Sequence, residues 1–312
     1  MQRRRLIILL VGFVLLALVA TAVWPRSPEP EYRGKKLSEW LLACGTSSNR
    51  PDEAEAPFAI RQIGTNALPW LIEWRNYQIP PWKTSLADTL ERGPLAAPYT
   101  RAIARALARR QALASQTLIG YQILGRAAAP AVPQLRALLR DEPSSVWAMH
   151  ALATIGEAGL PALIAALGDP RTAHRDNLPR CIVSMRRGGY DISSAVPALA
   201  RSLGDTDAEV ATAAAGSLAM AARPPRFNPS LRRPTAGLDR AVPALADSAK
   251  DPRVPVRYAA VRTLGAFSDQ ARPAVPALIE ALNDADSTVR SAATNALERI
   301  APEVLKTPGA DK

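Results

Sequence analysis

The sequence is poor in the residues that most enzymes use for chemistry. It contains two histidines, His150 and His174, and neither stands near a cysteine or a carboxylate at metal-ligand spacing. A Gly-x-Ser-x-Gly motif, a phosphate-binding glycine loop and a His-Glu pair are all missing. We therefore predict that the protein is not an enzyme, that it holds no metal or cofactor, and that it takes no small-molecule substrate.

Aromatic residues are also scarce. Phe, Trp and Tyr make up 5% of the chain, while apolar residues as a whole make up 48% and are mostly Ala, Leu and Val. This composition favours closely packed helices over strands, which are richer in aromatic and β-branched residues. An all-α fold is the first expectation.

Acidic residues are outnumbered by basic ones, and the net charge is +11. Arginine provides 33 of the 39 basic residues, and the stretch from Arg92 to Arg140 holds eight arginines and no acidic residue. Arginine suits partners that carry phosphate or carboxylate groups. In an arginine-rich protein, an exposed surface with no binding role also carries many arginines. The stretch 92–140 is therefore either an anion-binding region or an ordinary exposed surface.

The longest uncharged apolar run, from Leu6 to Trp24, follows three arginines at the N-terminus. As a helix with a rise of about 1.5 Å per residue it spans roughly 28 Å, close to the hydrocarbon thickness of a bilayer. We predict a single-pass membrane anchor at residues 1–24, with a cytoplasmic N-terminus and an extracytoplasmic, periplasmic domain in a bacterium. A small-x-small sequence ending at Ala22 also fits a signal peptide, whose cleavage would make the protein secreted.

A ten-residue pattern recurs five times, with Pro eight residues before Asp. The five segments are VPQLRALLRD, LPALIAALGD, VPALARSLGD, VPALADSAKD and VPALIEALND, in which the prolines are Pro133, Pro161, Pro197, Pro243 and Pro276. Proline is tolerated in a first helical turn, so it starts a short helix A. The Asp then lies in a turn, where it can cap helix B. Each copy is a helix pair that must stack on its neighbours to bury its apolar face.

The last copy shows the apolar faces most clearly. Leu278, Ile279 and Leu282 share one face of its helix A. Its helix B carries a stripe at helical spacing, made by Val289, Ala292, Ala293, Ala296, Leu297 and Ile300. In four copies Val stands five residues after the Asp, and in the other copy we expect His174 to take that place as a partly buried residue.

These units resemble HEAT repeats, in which a Pro in helix A is followed by a turn Asp and by Val-Arg at the head of helix B. Val256-Arg257 and Val289-Arg290 match in full. The resemblance is strong over residues 127–305 and looser before them, and it implies a right-handed α-α superhelix over residues 37–305. It also implies a ladder of turn aspartates and following arginines along the stack, namely Asp169, Asp251, Asp284, Arg175, Arg257 and Arg290.

The resemblance does not carry an activity with it. Deoxyhypusine hydroxylase is a helical-repeat enzyme that depends on His-Glu iron ligands, but here Ala151 follows His150 and Arg175 follows His174. Phycobilin lyases also have HEAT-like repeats, and a shared repeat type alone does not transfer function. In a long stack Cys44 and Cys181 stand several repeats apart, so we expect no disulfide between them.

Several segments depart from the repeat. We predict a polar linker at residues 25–36, insertions near 78–98 and 222–238, and a frayed tail at 306–312. The aromatic residues Trp70, Trp74 and Tyr77 fall on one helix face. They form either a partner-binding surface or the large core of a capping unit at the open end of the stack.

Helix B residues off the apolar stripe are the remaining candidates for binding. They are Arg180, Tyr258, Arg262 and Asn295, which form either a partner-binding surface or a solvated face. The sequence predicts a membrane-tethered, extracytoplasmic scaffold for protein–protein interaction without catalysis. The alternative is a basic solenoid that binds an anionic polymer, either envelope polysaccharide or nucleic acid.

Overall fold

A computed structural model describes residues 28–44, 51–76, 96–223 and 235–305. The predicted anchor at residues 1–24, the tail at 306–312 and most of both insertions lie outside these ranges. Within them the chain is mostly helical and forms a stack of helix pairs. No helix in the described ranges combines the length and the apolar character needed to cross a bilayer.

Odd-numbered helices α1 to α13 are the A helices of successive units, and even-numbered helices are the B helices. The first two units are α1 Leu37–Ala43 with α2 Pro51–Ile63, and α3 Leu68–Asn76 with α4 Ala96–Leu124. The next three are α5 Val132–Leu138 with α6 Glu142–Ile155, α7 Leu160–Leu167 with α8 Leu178–Ser184, and α9 Val196–Arg201 with α10 Ala208–Ala222. The last two are α11 Val242–Ser248 with α12 Val254–Phe267, and α13 Val275–Ala281 with α14 Ser287–Ile300, followed by α15 Pro302–Leu305.

Proline marks the start of the A helices, as the sequence predicts. In α5, α7, α9, α11 and α13 the repeat proline is the second residue of the helix. A proline there loses no hydrogen bond, because the first amides of a helix have no partner within it. Glycine ends the first two B helices: Gly64 and Gly125 have φ of 62° and 50°. Such left-handed backbone stops a helix and lets the chain re-enter the stack.

The core follows the apolar stripe that was predicted for the last B helix. All six of its residues, from Val289 to Ile300, are buried. On α13 the prediction is wrong for Ile279, which is 40% exposed, while Leu278 is fully buried. Successive helical residues are about 100° apart, so Ile279 lies beyond the edge of the face that Leu278 presents to the core.

A β-hairpin replaces the second half of the predicted linker at 25–36. Strands β1 Glu31–Tyr32 and β2 Lys35–Lys36 pair antiparallel, with Tyr32 opposite Lys35. The Tyr32 ring packs on Trp40 and Phe58 at centroid distances of 6.5 and 6.1 Å. The Trp40 indole Nε1 donates a hydrogen bond to the Tyr32 carbonyl oxygen at 3.2 Å. The hairpin therefore covers the first unit, and residues 31–36 belong to the folded domain.

The described residues on either side of the insertion predicted near 222–238 meet at the end of α10. The buried guanidinium of Arg186 donates to three carbonyl oxygens there, the shortest bond being 2.7 Å to Ala221. Burial lowers the pKa of Arg186. The Thr235 amide, after the insertion, donates to the same Ala221 oxygen at 3.3 Å. The residues that flank the insertion are thus held at one place, and the repeat resumes at α11 without a break in the stack.

Candidate binding surface

Arginines at the heads of B helices pair with turn aspartates of the following unit. Arg175 makes two hydrogen bonds to Asp205, at 2.6 and 2.8 Å. Arg257 makes two to Asp284, at 2.7 and 2.9 Å. The four side chains are only 10–15% exposed. Two-point contacts of this kind fix both groups, so the pairs connect consecutive units along the turn edge of the stack.

The turn aspartates Asp169 and Asp251 follow units in which the residue six positions after the turn Asp is not an arginine. Each of these two aspartates pairs with a different arginine instead. Trp147 and Ala211 occupy those positions. Arg140 pairs with Asp169 at 2.8 Å, and Arg253 pairs with Asp251 at 2.8 Å. Asp205, Arg140 and Arg253 were missing from the ladder that the HEAT resemblance implies. The repeat spacing gives no sign of Arg140 or Arg253, because neither lies six residues after a turn Asp.

The side chains of the turn aspartates do not cap helix B, which corrects the prediction from the sequence; Asp141 occupies the N-cap position of α6, but its side chain accepts no cap hydrogen bond. Asp284 accepts the amide of Asp286, two residues on, at 2.8 Å. Asp286 is the cap: its carboxylate accepts the amide of Thr288 at 2.8 Å. Hydrogen bonds from Arg257 lower the pKa of Asp284, and those from Thr288 lower the pKa of Asp286. In this unit the turn Asp holds the loop, and a second Asp caps the helix.

Arg290 is in the last unit that the structure describes, and no turn Asp follows it within residues 291–305. Its guanidinium donates to the Asp284 and Ala285 carbonyl oxygens of its own turn at 2.7 and 2.9 Å. Arg257 makes the equivalent bonds in the preceding unit, and Arg253 makes them for the turn at Asp205. The turn edge is thus occupied by contacts that hold the repeat together.

A groove with a volume of about 540 Å³ opens along the exposed side of the last B helices. We call it the C-terminal groove. Its lining residues are Arg223, Tyr258, Arg262, Gly265, Ser287, Thr288, Ser291, Ala292, Asn295, Ala296 and Arg299. Three of the four B-helix candidates from the sequence, Tyr258, Arg262 and Asn295, therefore line one groove. Arg180 is exposed on α8 and does not line it.

Positive charge dominates this groove. The Arg262 guanidinium lies over the Tyr258 ring, 5.7 Å from its centroid. Arg223 and Arg299 add two more exposed guanidinium groups. Within the described ranges none of the three has a carboxylate at ion-pair distance, whereas four arginines of the turn edge pair with an aspartate. Like charges kept together without counter-charges raise the local affinity for anions.

The close approach of α12 and α14, which forms the floor of the groove, depends on Gly265. A Cβ at Gly265 would lie 3.1 Å from Cα of Ala296, a backbone atom that cannot turn aside. We expect Gly265→Ala to lower the free energy of unfolding by about 1 kcal/mol. Gly216→Ala is the matched control, because nothing lies within 4 Å of its Cβ position in α10.

The control should raise the free energy of unfolding by about 0.5 kcal/mol, since alanine is the better helix former. Urea denaturation of both variants, followed by circular dichroism, checks the prediction. Equal stabilisation by the two substitutions would show that the helices can separate at no cost.

A second groove, of about 610 Å³, lies at the other end of the chain and contains two of the predicted aromatic residues. Its lining residues are Glu29, Gly34, Lys36, Ser38, Glu39, Trp70, Glu73, Trp74, Ala106, Arg109, Arg110 and Leu113. Trp70 and Trp74 are half-buried, with ring centroids 5.9 Å apart. Tyr77 lies outside the described residues. Both charge signs line this groove, so it has no clear preference for an anion or a cation.

The basic stretch 92–140 does not form one uniform surface in its described part. Arg126 pairs with Glu157 at 2.7 Å, and Arg140 with Asp169 at 2.8 Å. Arg109 donates to the Ser38 hydroxyl at 3.3 Å. Much of this charge is therefore used in contacts between units.

The histidines occupy different settings. His174 is exposed on a turn with φ of 51°, so the expectation of a partly buried His174 is wrong. His150 Nδ1 lies 3.9 Å from the sulfur of Cys181, a proximity that the sequence did not indicate. Burial raises the pKa of Cys181 to about 11, so the sulfur is a thiol at neutral pH and a weak nucleophile. Cys44 and Cys181 are both unbonded to other cysteines.

Comparison with known proteins gives one family and several solved structures. The CpcE–CpcF complex of phycocyanin lyase from Nostoc sp. PCC7120 is 25% identical, with 54% of this chain and 98% of that chain covered and a TM-score of 0.41. A designed armadillo repeat protein in complex with the peptide (KR)4 is 19% identical, with 85% and 99% covered and a TM-score of 0.34. No curated protein matches the chain. Residues 230–298 match the family model of HEAT repeats, so the resemblance seen in the sequence is confirmed for the last units.

Proposed function

We propose that the protein is a scaffold that binds a protein partner along the exposed face of its B helices. The division of polar residues supports the proposal: the turn-edge arginines are bound to aspartates and carbonyls, whereas three arginines of the C-terminal groove have no carboxylate partner among the described residues. Charged side chains that have no partner within the described part of the protein are available to bind a second protein. Tyr258 and Arg262 are also of the residue types that contribute most to protein interfaces.

The scaffold is further proposed to be tethered to a bacterial membrane and to act outside the cytoplasm. The support is the apolar run from Leu6 to Trp24 after three arginines. Residue 28, the first described residue, stands four positions after Trp24. A tether this short would keep the first unit close to the membrane surface.

The competing proposal is a basic solenoid that binds an anionic polymer. The net charge of +11 and the three groove arginines favour it. The ion pairs of Arg126 and Arg140 oppose it, because a polymer needs a continuous basic track rather than a local one.

Photocrosslinking in intact cells distinguishes the two proposals. We would place p-benzoylphenylalanine at position 180 or 258 on the B-helix face, and at exposed Arg240 before α11 as the control. The expected result is a discrete adduct from at least one B-helix position, found in the membrane fraction, removed by protease and absent from the control. An adduct removed by nuclease or glycosidase would favour the polymer instead. No adduct from either B-helix position would contradict the scaffold.

A further inference from the structure

The arginines of the C-terminal groove come from three successive B helices. Arg223 directly follows α10, Arg262 is in α12, and Arg299 is in the last turn of α14. All three side chains are exposed and line the same groove. Three positive charges from three successive units suit an anion that extends across the stack better than a single small ion.

The remaining lining groups suit a polypeptide. The Asn295 side chain can donate and accept a hydrogen bond, which matches the amide and carbonyl of a peptide bond. Phosphate and sulfate groups at neutral pH offer mainly acceptors, so the acceptor oxygen of the Asn295 side chain would have no donor to bind. The Tyr258 ring, 37% exposed beneath Arg262, adds apolar area that a peptide side chain can cover.

We propose that the C-terminal groove binds an extended acidic segment of the protein partner. The inference rests on the proposed scaffold function and adds the chemistry of the partner. Packed helices lie about 8–10 Å apart, and a chain in the polyproline II conformation advances about 3.1 Å per residue with three residues per turn, so every third side chain points to the same side. One helix step therefore corresponds to roughly three residues of the ligand, and carboxylates every third residue can meet Arg223, Arg262 and Arg299 in turn.

The probe is a pair of fluorescent twelve-residue peptides of equal composition, each with four Glu among Gly and Ser. In one peptide the Glu residues stand at every third position, and in the other they are adjacent. We expect the full-length protein, purified in mild detergent, to bind the spaced peptide more tightly in fluorescence anisotropy. Equal binding of both peptides would overturn the proposed register across the helices.

The variant R223Q/R262Q/R299Q should weaken binding of the spaced peptide by at least about tenfold, since charge-assisted bonds at three points are lost. The control R136Q/R201Q/R240Q removes the same charge from exposed positions of A helices or the turns before them. This control should weaken binding by less than about threefold, because it lowers only the overall positive charge of the protein. Equal weakening by both variants would overturn a specific site.

Heparin and a single-stranded oligonucleotide test the other class of anion. If either binds and loses affinity in the groove variant while the peptides do not bind, the acidic-segment proposal is overturned. The crosslinks at positions 180 and 258 distinguish a failure of the acidic-segment proposal from a failure of the scaffold proposal. A protein adduct at 180 that persists in the groove variant, with no peptide binding, would leave the scaffold standing and reject the acidic groove. No protein adduct anywhere would reject the scaffold itself.

Discussion

Gly159→Ala should lower the free energy of unfolding by about 3 kcal/mol, a large effect for adding one methyl group. Gly159 is buried in the connection from α6 to α7. A Cβ there would lie 2.0 Å from the carbonyl oxygen of Leu152 and 2.8 Å from its carbon. These are backbone atoms of α6, so the methyl group fits only if the two helices of neighbouring units move apart.

The matched control is Gly204→Ala, in the short connection after α9. Nothing lies within 4 Å of the Cβ position of Gly204. We expect its free energy of unfolding to stay within about 0.5 kcal/mol of the parent. Urea denaturation followed by far-ultraviolet circular dichroism measures both variants. If Gly159→Ala unfolds at the same urea concentration as the control, the connection is looser than its contacts indicate.

The stacked architecture could be predicted because each unit carries its own sequence pattern within a short stretch of the chain. Pro276 fixes where a helix starts, and the spacing from Val289 to Ile300 fixes which face is buried. Both signals depend only on residues within one helix. The hairpin at 31–36 was missed because its strands have two residues each and its turn is Arg33-Gly34. Both turn residues have positive φ, the geometry for which Asn-Gly would be the clear sequence signal.

The exchange of arginines between units could not be predicted in the same way. Arg253 serves Asp251 and also two carbonyl oxygens of the preceding turn, at Asp205 and Thr206. Arg253 has this role because position 211, where the repeat pattern would place an arginine, is Ala, and because stacking brings the two turns together. Three residues of the C-terminal groove were named from the sequence as binding candidates off the apolar stripe, namely Tyr258, Arg262 and Asn295. Arg223 and Arg299 were not, since whether they face the groove depends on how three helices are arranged.

The ladder should make the stability of the protein sensitive to acid. Interaction with arginine lowers the pKa of Asp284 and Asp251 in the folded state. Their unfolded pKa is about 3.9, so each ionised carboxylate favours folding at any pH above that value. This contribution is lost as the pH falls from about 4 towards the folded pKa. We therefore expect little change in stability between pH 7 and 5, and a steep loss below pH 4.

Asp284→Ala should lower the free energy of unfolding at pH 7 by about 2 kcal/mol, because it leaves the largely buried guanidinium of Arg257 without its carboxylate. Asp284→Asn can still accept the Asp286 amide through its side-chain oxygen but carries no charge. It should cost less than alanine and should also flatten the loss of stability below pH 4. Asp247→Asn, at an exposed position of α11, is the control for removing one negative charge.

A double-mutant cycle separates the pair from the turn. If Arg257 and Asp284 stabilise each other across the two units, Arg257→Ala and Asp284→Ala together should cost less than the sum of the single losses, by about 1 kcal/mol. Strictly additive losses would mean that each residue acts only within its own turn, Arg257 on the Asp251 carbonyl and Asp284 on the Asp286 amide. The turn edge would then shape each unit separately, and the apolar contacts between B helices alone would hold the units together.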